Sequence, residues 1–363
     1  MRHNEPDPLP AGLEGIEPAW LSAALAKRFP GARVRRVSVV DRHSGTTGRG
    51  RITVEYDERA DAPESFFVKL PPENEAQRRF VQQLGFGESE SRFYLEIRPE
   101  LSLQAPDCYF AAWSNDGDGR FLLLLEDLVA RGMALPRPRD PEVLDYARQV
   151  VTDLAGLHAA FWQSERFGTD LAWLRPPSRG GGNTNLIERA VELFGGDMHP
   201  DFTRLGEILS SDYAGVANAL DDGAPTLVHG DAHMGNMFLI GSRIGFLDWA
   251  VLSRAPGMRD VSYFLCNSIP PDVRRANEKD LIDLYCGTLA EAGCRLDRNR
   301  AQAQYRLGAV YSWIAATTTA AMGSQWQKQT VGLAGMRRAT ESIVDLGTVD
   351  ALRERLDRAS RSK

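Results

Sequence analysis

The chain has 363 residues, of which 43% are hydrophobic and 25% are charged, and its formal net charge at pH 7 is −6. This length predicts two lobes rather than one small core, and the net acidic charge argues against a nucleic-acid-binding protein. Four cysteines, no apolar run near 18 residues and a polar, Pro-rich N-terminus predict a cytoplasmic protein with no membrane span.

The first 126 residues predict a small β-rich lobe. Alternating apolar residues over 52–56 indicate one strand, SFFVKL (65–70) indicates another, and the segments CYFAAW and RFLLLLE indicate two more. Helical periodicity over 75–98 is interrupted by Gly85 and Gly87. We therefore expect a sheet with one inserted helical stretch.

Residues 127–363 predict a larger, mainly helical lobe. Asp140 and Pro141 are typical of a helix N-cap and the first helical residue. Within this lobe, MFLI, GSR and IGFLDW (237–249) predict a tight β-hairpin. The expected fold class is α+β, with a β-rich N-terminal lobe and a helical C-terminal lobe.

One segment, LVHGDAHMGNMFLIGSRIGFLDW (227–249), concentrates the polar residues that can carry chemistry. Asp231 and Asn236 have the D-x-x-x-x-N spacing of a kinase catalytic loop, with a His two residues before the Asp, and a hairpin then leads to Asp248. A hydroxyl nucleophile needs a carboxylate to orient it, and Mg²⁺ needs a few hard oxygen ligands. The spacing therefore favours phosphoryl transfer.

Two metal-based alternatives explain the segment less well. Asp231-Ala232-His233 matches the D-x-H that begins dinuclear metal phosphoesterase sites, but such sites need further ligands and the chain has only six His. A zinc site would need more than His229 and His233, and no Cys lies nearby.

The motif HGDAHMGN followed by FLDW resembles the signature of the aminoglycoside phosphotransferase and choline kinase-like family, a branch of the protein-kinase-like fold. The resemblance covers most of the chain and includes the upstream VKL, the helix with ESRFY, the LLLED junction and the helix with GLHAAFW. It implies a bilobal protein-kinase-like fold with ATP in the interlobe cleft. It also implies transfer of the γ-phosphate, with Mg²⁺, to the hydroxyl of a small-molecule acceptor.

The resemblance also implies roles for individual residues. Asp231 becomes the catalytic base or hydroxyl-orienting residue, and Asn236 and Asp248 become Mg²⁺ ligands. Lys69 lies on an apolar strand, where an ammonium must be paired, and the resemblance assigns it to the α- and β-phosphates. Its helical partner is expected to be Glu90, with Glu88 as the rival.

Two further segments are candidates for nucleotide contacts. The loop HSGTTGRG (43–50) lacks the G-x-G-x-x-G of protein kinases, yet Gly45, Thr46, Thr47 and Gly48 could cover phosphates with main-chain N–H groups. A plain hairpin turn explains this loop equally well.

The second of these segments is the junction between the lobes. There the main-chain groups of Glu126 and Leu128 are expected to meet adenine, in a way that depends little on side-chain identity. Other residues in the helical lobe have mainly structural interpretations. His158 and His229 are expected to be core histidines, His233 to support its loop, and Asp260 to tie a helix start to the catalytic loop.

The acceptor site is expected near Asp231, with the loop 178–185 and the helix 309–326 as candidates. The helix carries Trp and Thr rather than carboxylates, which favours an acceptor less charged than an aminoglycoside. An antibiotic, an amino alcohol, a sterol or another metabolite remains open as the acceptor. A nucleotide-binding pseudo-kinase is the main alternative function, and the missing A-P-E segment disfavours a protein kinase.

Overall fold

The computed structural model describes residues 8–114, 116–177, 184–323 and 329–361. Contacts divide the chain into two compact units. The first unit combines Met1–Ala134 with Phe238–Val251, and the second combines Leu135–Met237 with Leu252–Lys363.

The first unit extends past the boundary expected at residue 126, because a later hairpin joins it. Ala134 bridges Leu239, and each N–H donates to the other residue's carbonyl, at 3.0 and 2.8 Å. The hairpin itself is the predicted one, formed by β7 (Met237–Ile240) and β8 (Arg243–Phe246). It therefore places the segment that ends in Asp248 with the β-rich unit.

An antiparallel five-stranded sheet forms the centre of the first unit. Its strands are β1 (Arg33–Ser44), β2 (Gly48–Glu58), β3 (Ser65–Leu70), β4 (Cys108–Trp113) and β5 (Phe121–Glu126). They lie in the order β1-β2-β3-β5-β4. All four predicted strand segments are present, and β1 adds a fifth.

The two faces of the sheet are used differently. Phe66, Val68 and Leu70 of β3 are buried in one hydrophobic core with helix α1 (Pro18–Leu25). Lys69 alternates to the opposite face, because successive side chains of a strand point in opposite directions. Each buried large apolar side chain contributes about 1.5–3 kcal/mol. This core therefore fixes the direction in which Lys69 points.

The helical stretch after β3 divides into α2 (Glu75–Leu84), α3 (Phe86–Arg92) and a π-helical turn (Phe93–Ile97). Gly85 ends α2 in the left-handed conformation, with φ of 69°. The interruption predicted at Gly87 is wrong, since that residue lies within α3. A Cβ there would come within 2.2 Å of the ring of Phe121, so glycine lets α3 approach the sheet.

The second unit is mainly helical, which confirms the predicted α+β class. Its helices are α4 (Val143–Ala160), α5 (Thr184–Phe194), α6 (Pro200–Ser211), α7 (Tyr213–Leu220), α8 (Met258–Ser268), α9 (Pro271–Glu291), α10 (Arg298–Ala321), α11 (Gln329–Asp345) and α12 (Thr348–Arg361). Strands β6 (Pro225–Val228) and β9 (Ser253–Pro256) pair antiparallel. Helix α10 packs against α5, α8 and α11 and forms the centre of the unit.

Helix α4 begins later than predicted. Its N-cap is Glu142, whereas the carboxylate of Asp140 accepts the N–H of Arg137 at 2.8 Å and closes a preceding turn. Asp favours a turn as strongly as a helix cap, so the local pattern alone did not distinguish them. In the part of the chain that is described, no helix is long and apolar enough to cross a membrane.

Candidate active site

Lys69 forms a buried ion pair with one carboxylate and a second contact with another. Its Nζ lies 2.5 Å from Oε2 of Glu90 and 3.1 Å from Oδ1 of Asp248. Lys69 is 4% exposed and Glu90 is 1% exposed, so water does not screen this pair. Glu88, the rival partner, lies 3.0 Å from Nε of Arg92 instead and is about half exposed.

Burial and charge act in opposite directions on this group. Burial lowers the pKa of Lys69, but the carboxylates of Asp248 and Glu90 outweigh it, so the pKa is raised and the ammonium stays charged. Burial raises the pKa of Glu90, and the opposing charge of Lys69 only partly offsets this effect. The side chain of Asp248 is 34% exposed, so this carboxylate also faces solvent.

The backbone of Asp248 is in the left-handed conformation, with φ of 60°. This conformation costs a non-glycine residue about 1–2 kcal/mol, so the surrounding structure must hold it. The next residue, Trp249, donates its N–H to Oε1 of Glu90 at 3.3 Å and is fully buried. Backbone strain that is held by packing is typical of functional sites.

In the second unit, the loop after β6 brings Asp231 and Asn236 together. Nδ2 of Asn236 donates to the carboxylate of Asp231 at 2.8 Å and to its main-chain carbonyl at 3.0 Å. Both partners are acceptors, so the amide must present its nitrogen to them. Oδ1 of Asn236 is therefore the atom that could ligate a metal ion.

His233 lies beside the same carboxylate. Its Nδ1 accepts the N–H of Gly235 at 3.0 Å, so a neutral ring carries its proton on Nε2. That nitrogen lies 3.6 Å from Oδ2 of Asp231, which is too long for a direct hydrogen bond. The geometry agrees with loop support, because the Nδ1 contact closes the turn around Gly235.

Two tyrosines complete the surroundings of the loop. Tyr263 of α8 donates its hydroxyl to Oδ1 of Asp231 at 2.9 Å, and Tyr311 of α10 donates to the carbonyl of Gly230 at 2.5 Å. Burial raises the pKa of both phenols, that of Tyr311 to about 12, so both remain neutral donors. Sequence reasoning missed Tyr263, which lies in an ordinary helical segment without a motif of its own.

Asp260 holds the backbone of the loop, as predicted. Its carboxylate accepts the N–H groups of His229 and Gly230 at 2.6 and 2.9 Å, and Nε2 of His158 lies 3.3 Å away. Nδ1 of His158 is 2.8 Å from the hydroxyl of Tyr285. Burial alone would raise the pKa of Asp260, but these donors and charges lower it. Both histidines are fully buried, in agreement with their structural interpretation.

The glycine- and threonine-containing loop forms a short turn between β1 and β2. The N–H of Gly45 donates to the carbonyl of Thr47 at 3.2 Å, while Thr46 is exposed at the tip. A Cβ on Gly48 would lie 2.8 Å from the carbonyl of Pro71, so this glycine is needed for close strand approach. Close strand packing therefore explains why residue 48 is a glycine, without any contact to a nucleotide.

At the predicted junction, several main-chain groups of Glu126 and Leu128 already form hydrogen bonds within the protein. The N–H of Glu126 donates to the main-chain carbonyl of Asp107 at 2.8 Å. The carboxylate of Glu126 pairs with Arg131, also at 2.8 Å. The carbonyl of Leu128 accepts from Arg131 and Met133 at 3.1 and 3.0 Å. A contact between Leu128 and a nucleotide base would therefore use its N–H.

The structure describes only part of the two segments that were predicted to form the acceptor site. Residues 178–183 and 324–328, the latter including Trp326, lie outside the described residues. Trp313 is fully buried against Phe202, with ring centroids 5.0 Å apart, so it belongs to the core and not to a pocket. Tyr311 is partly exposed and contacts the carbonyl of Gly230, in the loop that carries Asp231 and Asn236.

Together, a β-rich unit with a buried Lys–Glu pair and a helical unit with a D-x-x-x-x-N loop define the protein-kinase-like fold of small-molecule phosphotransferases. Several solved structures share this fold. They include a candidate aminoglycoside phosphotransferase from Ralstonia eutropha JMP134 (13% identity, TM-score 0.52, 91% of this chain and 97% of that one). They also include an ethanolamine kinase from Plasmodium vivax (13%, 0.50, 88% and 87%).

A third structure with the same fold is the GDP and kanamycin complex of APH(2″)-IIIa (12% identity, TM-score 0.50, 90% of this chain and 98% of that one). No curated protein sequence matches the chain significantly. The sequence profile of the ecdysteroid kinase-like family, however, matches residues 47–165 and 184–297. The chain therefore belongs to the ecdysteroid kinase-like family, and the predicted relationship with kinase-like small-molecule phosphotransferases is confirmed.

Proposed function

We propose that this chain transfers the γ-phosphoryl group of Mg²⁺-ATP to a hydroxyl group of a small molecule. The observation that carries the proposal is the buried contact of Lys69 with Glu90 and Asp248. Burial of the charged pair Lys69–Glu90 is costly, and replacing such a pair by apolar residues is often stabilising. The presence of these buried charges is therefore better explained by binding of a charged ligand than by a contribution to stability.

The residues of the first unit are assigned to the nucleotide. Lys69 neutralises charge on the phosphates, and Glu90 holds its ammonium in place, since the pair is fixed by burial. In the turn between β1 and β2, main-chain N–H groups of Thr46, Thr47 and Gly48 cover phosphates, and the N–H of Gly45, which donates to the carbonyl of Thr47, holds the turn. The main-chain groups of Glu126 and Leu128 contact the base, with Leu128 using its N–H.

Asp231 of the second unit is assigned to the acceptor. It accepts a hydrogen bond from the attacking hydroxyl and turns one oxygen lone pair toward the γ-phosphorus. As the new O–P bond forms, the bond between that phosphorus and the bridging oxygen breaks, ADP leaves, and Asp231 takes the hydroxyl proton. Most of the rate enhancement would come from positioning and charge neutralisation, as in other phosphoryl transfers.

The residues that would hold Mg²⁺ are Asn236 and Asp248. Their chemistry fits, because Mg²⁺ prefers oxygen ligands and keeps several waters and phosphate oxygens. Nδ2 of Asn236 donates to Asp231, which leaves its Oδ1 available, and Asp248 presents a partly exposed carboxylate. The described residues contain no group of three or more His, Cys, Asp or Glu suited to a metal ion, so phosphate and water must complete the shell. Mg²⁺ would neutralise phosphate charge.

The test measures ADP release from Mg²⁺-ATP with a panel of hydroxyl compounds: aminoglycosides, macrolides, amino alcohols, sugars and sterols. A parallel series with Mg²⁺-GTP is included, because the structure of APH(2″)-IIIa holds GDP. Acceptor-stimulated ADP release that disappears in Asp231→Asn supports the proposal.

The matched control is Asp222→Asn, which changes a half-exposed carboxylate that pairs with two surface arginines, Arg300 and Arg355. This control should keep full activity. Turnover that survives Asp231→Asn, or that persists in EDTA, would contradict the assignment of Asp231 or of the metal ligands.

A further inference from the structure

The carboxylate of Asp231 is held at both oxygens by groups from different elements. Oδ1 accepts the hydroxyl of Tyr263 at 2.9 Å, and Oδ2 accepts Nδ2 of Asn236 at 2.8 Å. Asn236 belongs to the same loop as Asp231, whereas Tyr263 belongs to α8 and is 32 residues further along the chain. The two bonds therefore constrain the carboxylate independently.

The second bond changes what the carboxylate can do. The χ2 torsion of Asp is broad, so a carboxylate held at one oxygen can still turn about its Cβ–Cγ bond. A donor on the other oxygen fixes the plane of the group and hence the direction of its remaining lone pairs. Orientation of the attacking hydroxyl depends on that direction, and a displacement near 1 Å can cost about a hundredfold in rate.

Tyr263 is itself rigidly placed. It is 4% exposed, and its ring lies 5.1 Å from that of Tyr311 and 6.0 Å from that of His233. Asp260, three residues earlier and so on the same side of α8, holds the backbone N–H groups just before Asp231. Helix α8 thus contacts the loop at two places: Asp260 binds main-chain N–H groups, and Tyr263 binds the carboxylate of Asp231.

We infer that Tyr263 is a positioning residue for phosphoryl transfer, which sets the plane of the Asp231 carboxylate against the acceptor hydroxyl. This inference rests on the proposed function. Tyr263 acts through Asp231 and touches no reacting atom itself. Its loss should therefore lower kcat and leave the binding of Mg²⁺-ATP unchanged.

The first experiment compares Tyr263→Phe with Tyr305→Phe as a matched control. Tyr305 is a buried tyrosine of the same unit whose hydroxyl also donates to a carboxylate, that of Glu278 at 2.8 Å. With the best acceptor of the hydroxyl panel, we expect Tyr263→Phe to lose about 10- to 100-fold in kcat with an unchanged KM for ATP. Tyr305→Phe should lose comparable thermal stability but keep its kcat. Equal kcat in both variants overturns the inference.

A double-mutant cycle then tests whether Tyr263 acts through Asp231. In the Asp231→Asn background, Tyr263→Phe should have no further effect on the residual rate, because the carboxylate that it positions is already gone. Additive losses in the cycle would overturn the inference and would indicate a general loss of packing instead.

A readout without turnover separates the inference from the proposed function. In protein labelled with ¹³Cζ-tyrosine, the Tyr263 resonance is assigned by its loss in Tyr263→Phe. It should shift in Asp231→Asn, because a hydrogen bond to a carboxylate differs from one to a neutral amide, while the Tyr305 resonance stays in place. A stationary Tyr263 resonance overturns the inference. A shifted resonance in a protein that turns over no acceptor counts against the proposed function only.

Discussion

The indole ring of Trp249 stacks on the phenyl ring of Phe93, with ring centroids 3.9 Å apart and planes inclined by 8°. Phe93 follows Glu90 by three residues, and Trp249 directly follows Asp248. The stack therefore joins the two segments whose carboxylates contact Lys69. The main-chain N–H of Trp249 also donates to Glu90, so a ring stack and a hydrogen bond both connect these segments.

Trp249→Leu should weaken nucleotide binding more than its loss of stability explains. We expect the free energy of unfolding to fall by about 1–3 kcal/mol, because a large buried side chain is replaced by a smaller one. The KM for ATP should rise several-fold, since Glu90 and Asp248 lose a common support. Denaturant unfolding and steady-state kinetics measure the two effects.

Trp313→Leu is the matched control for this substitution. Trp313 is also fully buried and packs on Phe202 in the second unit, so a comparable loss of stability is expected. Its KM for ATP should stay unchanged. An equal rise in KM in both variants would show that the stack has no specific role in the proposed nucleotide site.

Glu90→Leu should destabilise the protein by about 3–5 kcal/mol, because it leaves the buried ammonium of Lys69 with one partner fewer. The double variant Lys69→Met/Glu90→Leu should regain much of that loss, since neither buried charge remains. Both variants should lack activity. Urea unfolding gives the comparison, and a double variant no more stable than the single one would refute a charge-based explanation.

Asp248→Gly should be more stable than Asp248→Ala by about 1–2 kcal/mol. Both substitutions remove the carboxylate and its contact with Lys69, so the difference isolates the backbone, where only glycine tolerates φ of 60° without strain. Both variants should lose turnover if Asp248 is a metal ligand. Thermal unfolding tests the backbone effect, and equal stability of the two variants would argue against strain at this position.

Asp260 should make the protein sensitive to acid. Hydrogen bonds and charges around this carboxylate outweigh burial and lower its pKa in the folded state. A depressed folded pKa stabilises the protein above the unfolded pKa of about 3.9, and the contribution is lost as pH falls through the folded value. Asp260→Asn should therefore lower stability at pH 7 and flatten its decline below about pH 5.

Unfolding in urea at a series of pH values from neutral to acidic provides this measurement. Asp222→Asn, at a half-exposed surface carboxylate, should change stability at pH 7 by less than about 0.5 kcal/mol. If Asp260→Asn kept the full acid dependence of the natural sequence, another carboxylate would have to be responsible.

Several local features were predictable because short segments determine them. The predicted strands and the hairpin that turns at Gly241 are present where expected. Both depend on side-chain alternation and turn residues within a few positions of the chain. The predictions that failed were also local: Asp140 closes a turn instead of capping α4, and Gly87 lies inside a helix. In both cases the same residue type suits two structures, and packing decided between them.

By itself, the sequence determined which residues could carry chemistry. Asp231 and Asn236 are five residues apart on one loop, and the pattern of apolar residues around Lys69 requires a charged partner for it. The sequence favoured Glu90 as this partner but left Glu88 as a rival, and the tertiary structure decided between them, because Glu88 is two residues earlier on the helix and pairs with Arg92 instead. The tertiary structure alone brought Tyr263 to Asp231, since contacts between distant residues depend on how helices pack, and no short motif encodes that packing.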